Sequence, residues 1–201
     1  MKSIIQRIPL AAIWLFFGSQ ACAQTEEVEE VQEVKQINPQ METQIAVFAS
    51  GCFWGTEYYM KRIDGVLETT VGYTGGHVKN PSYREVCTGR TGHYECTKVE
   101  YDPSKTDFET LARMFFETHD PTQANGQGPD IGPQYRSAIF YQSEDERAIA
   151  EKLIALLEEK GLNVATVVLP LETFYAAEDY HQDYYDNKGG RPYCHKYVQR
   201  F

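Results

Sequence analysis

The 201-residue sequence has few basic side chains and no long apolar run. It contains 19 Lys and Arg against 29 Asp and Glu, and its formal net charge is -10. Proteins that bind nucleic acids cluster Lys and Arg against the phosphates, so this shortage argues against a nucleic-acid partner. The apolar run at residues 8–17 is too short to span a bilayer. No Gly-x-Gly-x-x-Gly fingerprint follows a strand, so no bound nucleotide or flavin is expected.

Cysteine is scarce as well, with five residues at positions 22, 52, 87, 96 and 194. Four remain beyond Cys22, and an even number in an exported protein is typical of structural disulfides. A metal site is not expected, because no Cys-x-x-Cys pair occurs. His93 and Cys96 are three residues apart on a predicted strand, where their side chains point to opposite faces.

The first 23 residues have the pattern of a secretory signal peptide. Lys2 and Arg7 precede an apolar run, and small residues follow it. Two cleavage sites compete: Ala21-Cys22-Ala23 fits the small-x-small rule, and Ser19-Gln20-Ala21-Cys22 resembles a bacterial lipobox in which Cys22 is lipidated. Both predict export, to the bacterial periplasm or to the membrane as an anchored lipoprotein of the cell envelope.

An acidic segment, residues 24–43, separates the signal from the rest of the chain. It has six Glu, one Lys and no aromatic residue, so half of the net charge lies in this short stretch. That composition predicts a solvated, disordered linker. Residues 44–201 are then expected to form the functional domain.

Strands and helices alternate along this domain. Hydrophobic patterns predict strands over 45–49, 66–73, 93–101, 137–141 and 164–169, and helices from Cys52, after Thr106-Asp107, over 143–160 and over 178–185. Two long loops, residues 74–92 and 119–136, are expected to be functional. The small number of strands favours an α+β, two-layer sandwich with a mixed sheet and flanking helices over a doubly wound sheet.

Cys52 is the best candidate for a nucleophile. Its predicted place is the first turn of a helix, where free N–H groups and the helix dipole lower a thiol pKa and favour the thiolate. Phe53 and Trp54 follow it directly, and Gly51 and Gly55 flank the three residues. A bulky aromatic pair between glycines is unusual for a purely structural helix start.

Gly51-Cys52-Phe53-Trp54-Gly55-x-Glu57 resembles the active-site signature of the peptide methionine sulfoxide reductase A (MsrA) family. Further matches follow in family order and cover almost all of residues 45–195. They are Val71-Gly72-Tyr73-Thr74-Gly75-Gly76, residues 80–89 (NPSYREVCTG), Thr91-Gly92-His93-Tyr94-Glu95, residues 119–123 (HDPTQ), residues 130–137 (DIGPQYRS) and residues 177–182 (AEDYHQ).

The resemblance implies the ferredoxin-like α+β fold of that family and the reduction of methionine (S)-sulfoxide, both in oxidised proteins and as the free amino acid. Cys52 would attack the sulfoxide sulfur, and Glu95 would protonate the oxygen. Tyr83 and Tyr135 match phenols that bind that oxygen, and Asp130 matches a further polar residue of the site. Phe53 and Trp54 match an apolar cage for the S-methyl group.

The resemblance also implies that Cys52 becomes a sulfenic acid, which a second thiol resolves. Cys194 is the candidate, because it follows Gly189-Gly190 in a tail that can move. The family's best-known tail reads Gly-Tyr-Cys-Gly, whereas here His195 follows Cys194. Cys87 is interpreted as buried packing, and Cys96 has no family role.

Several further expectations follow from the resemblance. No cofactor is bound, the reductant is an external thioredoxin-like dithiol protein, and the enzyme is a monomer. Two other readings remain: a Cys-dependent hydrolase or acyl transferase that pairs Cys52 with a histidine base, and a non-catalytic envelope lipoprotein with an aromatic peptide-binding cleft.

Overall fold

A computed structural model describes residues 43–201. The predicted signal peptide, Cys22 and all but the last residue of the predicted linker therefore lie outside the described residues. Within residues 43–201, no helix is long and apolar enough to cross a membrane.

A six-stranded mixed sheet forms the centre of the domain, in the order β7-β6-β1-β3-β2-β8. Only β6 and β7 are parallel neighbours, and the other pairs are antiparallel. The strands are β1 Gln44–Ser50, β2 Val66–Thr74, β3 Tyr94–Tyr101, β6 Ser137–Tyr141, β7 Val167–Pro170 and β8 Tyr175–Ala176, and a separate hairpin pairs β4 Gly126–Gln127 with β5 Asp130–Ile131. The predicted α+β fold with a mixed sheet is confirmed.

Five helices accompany the sheet: α1 Phe53–Met60, α2 Tyr83–Val86, α3 Phe108–Thr118, α4 Glu144–Glu159 and α5 Tyr184–Lys188. The main core lies where α3 and α4 contribute side chains against β1, β3 and β6. Phe48 of β1 stacks on Phe108 and Phe115 of α3, with ring centroids 5.9 and 5.4 Å apart. Burial of these apolar side chains fixes the sheet against its helices.

Side chains at the predicted helix starts form the expected caps. The Asp107 carboxylate accepts a hydrogen bond from the backbone N–H of Thr110 at 2.7 Å, and the Ser143 hydroxyl accepts one from Glu146 at 3.2 Å. These bonds satisfy N–H groups that have no partner within the helix. They place the beginnings of α3 and α4 where the sequence predicts them.

The two long loops contain short elements that the sequence did not reveal. The first holds the single turn α2, and the second holds the β4–β5 hairpin and a 3-10 turn at Pro133–Tyr135. The predicted helix over 178–185 is wrong in part, because it is divided into a 3-10 turn at Asp179–His181 and α5. Asp183, in a left-handed conformation with φ 54°, separates the two. Elements of two to four residues carry no hydrophobic periodicity.

Candidate active site

Cys52 lies at the junction of β1 and α1 and is the N-cap residue of α1. Gly51 makes the turn with φ +96°, a conformation that side chains other than glycine's rarely adopt. A Cβ at this position would also overlap the side chain of Gln127. The junction therefore requires glycine, and it leaves Cys52 with only 7% of its surface exposed.

Burial raises the pKa of the Cys52 thiol well above its ordinary value, and the nearby Glu95 carboxyl adds to the rise. The backbone at Trp54, in the first turn of α1, acts in the opposite direction. The expected lowering of the pKa is thus wrong for the substrate-free site. A helix N-terminus is worth about 1 kcal/mol, whereas full burial shifts a pKa by roughly 3–5 units, so desolvation prevails.

Glu95 lies on β3 with its carboxyl group beside the start of α1. The backbone N–H of Phe53 donates to its Oε2 at 3.3 Å, while the buried Oε1 has no hydrogen-bond partner. Burial raises the pKa of Glu95 to about 8, and the charge of Asp130 contributes to the rise. At neutral pH the side chain is therefore mostly protonated, as an acid that acts on a substrate oxygen requires.

Phe53 and Trp54 form an apolar wall beside Cys52. Phe53 is fully buried, with its ring 6.0 Å from that of Tyr73. Trp54 is half-buried and stacks on Tyr184 of α5 at 3.7 Å between centroids, with the planes 8° apart. This stacking fixes the orientation of the indole.

Tyr83 and Tyr135 come from the two long loops, at α2 and at the 3-10 turn, and both are half-buried. Burial and the Glu95 carboxyl raise the pKa of both phenols above its ordinary value. The hydroxyl groups therefore remain protonated donors. The Tyr83 side chain packs against the cluster that contains Cys52 and Phe53.

Asp130, on β5, binds the tail of the chain. The hydroxyl of Tyr193 donates to its two carboxylate oxygens at 3.0 and 2.9 Å. Its charge also raises the pKa of Cys52 and of Cys194. Asp130 thus connects the second long loop to the segment that carries Cys194.

Cys194 lies in the same buried cluster as Cys52 and Phe53. Burial raises the pKa of its thiol to about 12, and the Asp130 charge contributes, whereas the backbone of Cys52 opposes the rise. The two sulfur atoms are not bonded to each other, and both cysteines are free. The fold brings Cys194 beside Cys52, while its assignment as the resolving thiol stays a prediction.

Cys87 and Cys96 differ from each other in their surroundings. The interpretation of Cys87 as buried packing is wrong: it is exposed at the end of α2, a single turn of which only Val86 is buried. Cys96, on β3, is fully buried, and its thiol donates to the carbonyl oxygen of Tyr94 at 3.1 Å. Across residues 43–201 the cysteines are free, so the structural disulfides considered from the even count do not form there.

Glu178, His181 and Gln182, which follow Ala177, help to position the site, although the sequence analysis assigned them no role. Glu178 accepts hydrogen bonds from the Tyr83 backbone N–H at 2.9 Å and from the Tyr73 hydroxyl at 3.0 Å. Gln182 bonds both backbone groups of Val71 at 2.8 and 3.0 Å. The buried His181 ring lies against Phe53, Trp54, Tyr83 and Tyr180.

In the sequence, residues 177–182 stand out only as a stretch that matches the family. That match is the signal that these residues have a function. Its polar side chains reach β2 and α2, which are distant in sequence. Periodicity reports only neighbours along an element, so it contains no information about such contacts.

The geometry also bears on the alternative functions. In the described part of the chain, no histidine forms a hydrogen bond with Cys52, which a hydrolase with a Cys52–His pair would need. A protonated carboxyl group beside a buried thiol has no use in a simple peptide-binding cleft. Over residues 43–201, no group of three or more His, Cys, Asp or Glu is arranged to hold a metal ion.

Comparisons with known proteins agree with this site. The family model for peptide methionine sulfoxide reductase matches residues 44–201. Peptide methionine sulfoxide reductase MsrA from Sulfolobus acidocaldarius is 50% identical over 152 residues, which are 75% of this chain and 86% of the relative. The MsrA from Thermus thermophilus is 50% identical over 157 residues, 77% of this chain and 88% of the relative.

Solved structures show the same relationship. Mxr1 from Saccharomyces cerevisiae in reduced form superposes with a TM-score of 0.73 and 35% identity, covering 82% of this chain and 95% of that one. Mxr1 in complex with Trx2 superposes with a TM-score of 0.53 and 25% identity, covering 81% and 96%. By its site, its sequence and its fold, this chain belongs to the peptide methionine sulfoxide reductase family.

Proposed function

We propose that the chain reduces methionine (S)-sulfoxide to methionine, in oxidised proteins and as the free amino acid. The observation that carries this proposal is the buried Cys52 thiol beside Glu95, a carboxylic acid that remains protonated at neutral pH. Phe53 and Trp54 supply the apolar surface for the S-methyl group, and the phenols of Tyr83 and Tyr135 donate to the sulfoxide oxygen.

The reaction transfers the oxygen from the substrate to the enzyme. Glu95 protonates the sulfoxide oxygen, which makes the sulfur electrophilic, and Cys52 attacks that sulfur. Methionine leaves and Cys52 becomes a sulfenic acid, so the substrate sulfur is reduced by two electrons and the Cys52 sulfur is oxidised by two. The proton that Cys52 loses ends on Glu95, which is then ready for the next turnover.

The enzyme must then be reduced, and we assign the second thiol to Cys194. Its attack on the Cys52 sulfenic acid would release water and form a disulfide, which an external dithiol protein of the thioredoxin type reduces. The yeast relative in complex with Trx2 supports a donor of this kind. The position of Cys194 in the Cys52 cluster supports its assignment.

The experiment that tests the activity uses purified residues 44–201 with dithiothreitol and each epimer of a methionine sulfoxide peptide. We expect methionine from the S epimer only, and none from Cys52→Ser with either epimer. Cys96→Ser is the matched control, because Cys96 is another buried thiol, on β3, whose sulfur donates to the Tyr94 carbonyl oxygen and has no proposed role in the reaction. Equal activity of Cys52→Ser and wild type would refute the proposal.

We further propose that the full chain is exported and acts in the cell envelope as a monomer, with Cys22 as a possible site of lipid attachment. The support is the sequence pattern of residues 1–23 alone. Mass spectrometry of the N-terminus after expression in a bacterium distinguishes a lipidated Cys22 from cleavage after Ala23, and light scattering gives the molecular mass. An uncleaved cytoplasmic protein would contradict export, and a dimer mass would contradict the monomer.

A further inference from the structure

The imidazole of His195 lies directly against the thiol of Cys194. Its Nδ1 is 3.1 Å from the Cys194 sulfur, within hydrogen-bond distance for a thiol. Only 4% of His195 is exposed, so water does not compete for this contact. The sulfoxide chemistry at Cys52 and Glu95 makes no use of this histidine.

The other ring nitrogen of His195 is bound to Ser50, the residue two before Cys52. Nε2 lies 3.3 Å from the Ser50 hydroxyl, which in turn is 2.7 Å from the Thr56 hydroxyl. The Ser50 hydroxyl can donate its own hydrogen to Thr56 and accept one from the ring, so we assign the ring hydrogen to Nε2. Nδ1 then presents its lone pair to the Cys194 thiol.

The helix that begins at Cys52 is shaped to receive this ring. A Cβ at Gly55 would overlap the imidazole at Nδ1, Cγ and Cε1. Gly55 therefore leaves the space that His195 occupies on α1. The same β1–α1 junction that holds Cys52 thus also holds the imidazole, through Ser50 and Gly55.

The 3.1 Å contact allows the proton to move from the Cys194 sulfur to His195, but the pKa values of the resting pair oppose complete transfer, so the proton moves only as the S–S bond forms. Burial lowers the pKa of His195 to about 3, so the ring is neutral at physiological pH and its Nδ1 lone pair is free to accept a proton. The Cys194 thiol has a pKa of about 12 in its buried position beside Asp130. It forms almost no thiolate by itself near pH 7, and attack on a sulfenic acid requires the thiolate.

We infer that His195 is the catalytic base of the resolving step, which takes the proton of the Cys194 thiol as its sulfur attacks the Cys52 sulfenic acid. This inference rests on the proposed function. As the S–S bond forms, the S–O bond of the sulfenic acid breaks, so the Cys194 sulfur is oxidised and the Cys52 sulfur is reduced. The departing hydroxide and the proton held by His195 together make one water molecule.

A single-turnover experiment separates this step from sulfoxide reduction. Reduced enzyme is mixed with one equivalent of a methionine (S)-sulfoxide peptide without any reductant. Methionine release is followed by chromatography, sulfenic acid by trapping with dimedone, and the Cys52–Cys194 disulfide by peptide mapping. We expect His195→Gln to slow disulfide formation relative to methionine release by about a hundredfold, the lower range for loss of a general base.

His119→Gln is the matched control. His119 is as buried as His195, but it bonds the Phe115 carbonyl and the Ser137 hydroxyl and no thiol. This variant is expected to keep the wild-type ratio of the rate of disulfide formation to the rate of methionine release. A ratio in His195→Gln that equals the ratio in His119→Gln would overturn the inference.

The pH dependence gives a readout that a structural role would not produce. Because His195 is neutral throughout, wild-type disulfide formation is expected not to rise between pH 6 and 9. In His195→Gln, hydroxide must remove the thiol proton, so the rate is expected to rise about tenfold per pH unit, as the thiolate fraction does below the pKa. A tenfold rise per unit in the wild type would overturn the inference even if the variant did not fold.

Cys194→Ser separates a failure of this inference from a failure of the proposed function. If Cys194 resolves the sulfenic acid, this variant accumulates the dimedone adduct. If the sulfenic acid, measured by adding dimedone after increasing delays, disappears at the wild-type rate, Cys194 is not the resolving thiol, and the proposed recycling fails together with the inference. Accumulation in Cys194→Ser with a wild-type ratio in His195→Gln would refute the role of His195 alone.

Discussion

Cys52 and Cys194 belong to one buried cluster, but the chain holds them in different ways. Cys52 follows β1, which pairs with β3 on one side and β6 on the other, and α1 begins at the next residue. Cys194 lies in residues 189–201, which contain no helix or strand. Backbone pairing in the centre of the sheet therefore fixes the first thiol.

Side-chain and isolated backbone contacts hold the second thiol. The tail is bound by Tyr193 to Asp130, by the Gln127 amide to the Cys194 carbonyl at 3.3 Å, and by the Val198 N–H to the Glu117 carbonyl at 2.7 Å. Gly189 and Gly190 precede these contacts in the chain. Both have positive φ, and a Cβ added at either would have no neighbouring atom within 4 Å. None of these contacts is a strand pairing, so opening of the tail leaves the pairing of the sheet intact. A disulfide that a donor protein must reach is better placed on such a segment.

The sharpest way to test this division of roles is to remove each thiol in turn. We expect Cys52→Ser to lose activity with every donor by about a thousandfold or more, because Cys52 is the proposed nucleophile for the sulfoxide sulfur. Cys194→Ser should keep turnover with dithiothreitol within about tenfold but lose turnover with a thioredoxin, since dithiothreitol attacks the sulfenic acid directly. Methionine release with the two donors measures both effects. Equal losses with both donors in Cys194→Ser would contradict the comparison.

The sulfoxide step at Cys52 should also depend on pH through the protonation of Glu95. The protonated form is active, and the pKa of Glu95 is about 8, above its ordinary 4.5. We therefore expect kcat/KM with dithiothreitol to fall as pH rises through about 8, once changes in the dithiothreitol thiolate are corrected for. Glu95→Gln should lower kcat/KM by about 10²–10⁴-fold, the range for general acids.

Glu57 supplies the control for this pH experiment. It is another buried glutamate, whose pKa burial raises to about 7, but its carboxyl lies near Asp183 and Lys61 and not beside Cys52 and Phe53. If the fall in kcat/KM near pH 8 remains in Glu57→Gln and is absent from Glu95→Gln, the ionisation of Glu95 causes it. The reverse result would exclude Glu95 as the acid.

The same contrast explains how much of the molecule could be predicted from its sequence. Strand and helix patterns around Cys52 and the caps at Asp107 and Ser143 are local, so the start of α1 and the core elements were predicted correctly. The pKa of Cys52 was not, because desolvation is produced by residues far away in the sequence. The same holds for Glu178, whose bonds to β2 and α2 exist only in the folded chain.

Hydrogen exchange compares the two regions directly. Backbone amides of β1, residues 46–49, are bonded within the sheet, and those of residues 189–194 are not part of any strand or helix. We expect the β1 amides to exchange at least about a hundredfold more slowly than the tail amides, corresponding to a difference of about 3 kcal/mol in opening free energy. Mass spectrometry of peptides from the two regions measures this. Equal protection would show that the tail is as fixed as the sheet.

The smallest expected effect comes from the contact between Tyr193 and Asp130. Tyr193→Phe removes one hydroxyl from a side chain that is 63% exposed, so it leaves the core unchanged. The lost hydrogen bond is worth about 1 kcal/mol, which corresponds to roughly a fivefold change in the fraction of tail that is closed. We expect disulfide formation to slow by up to about fivefold, while methionine release in the same single turnover is unchanged. Tyr197→Phe, a neighbouring exposed tyrosine, is the control, and a loss of methionine release in Tyr193→Phe would instead place Asp130 and Tyr193 in the sulfoxide step.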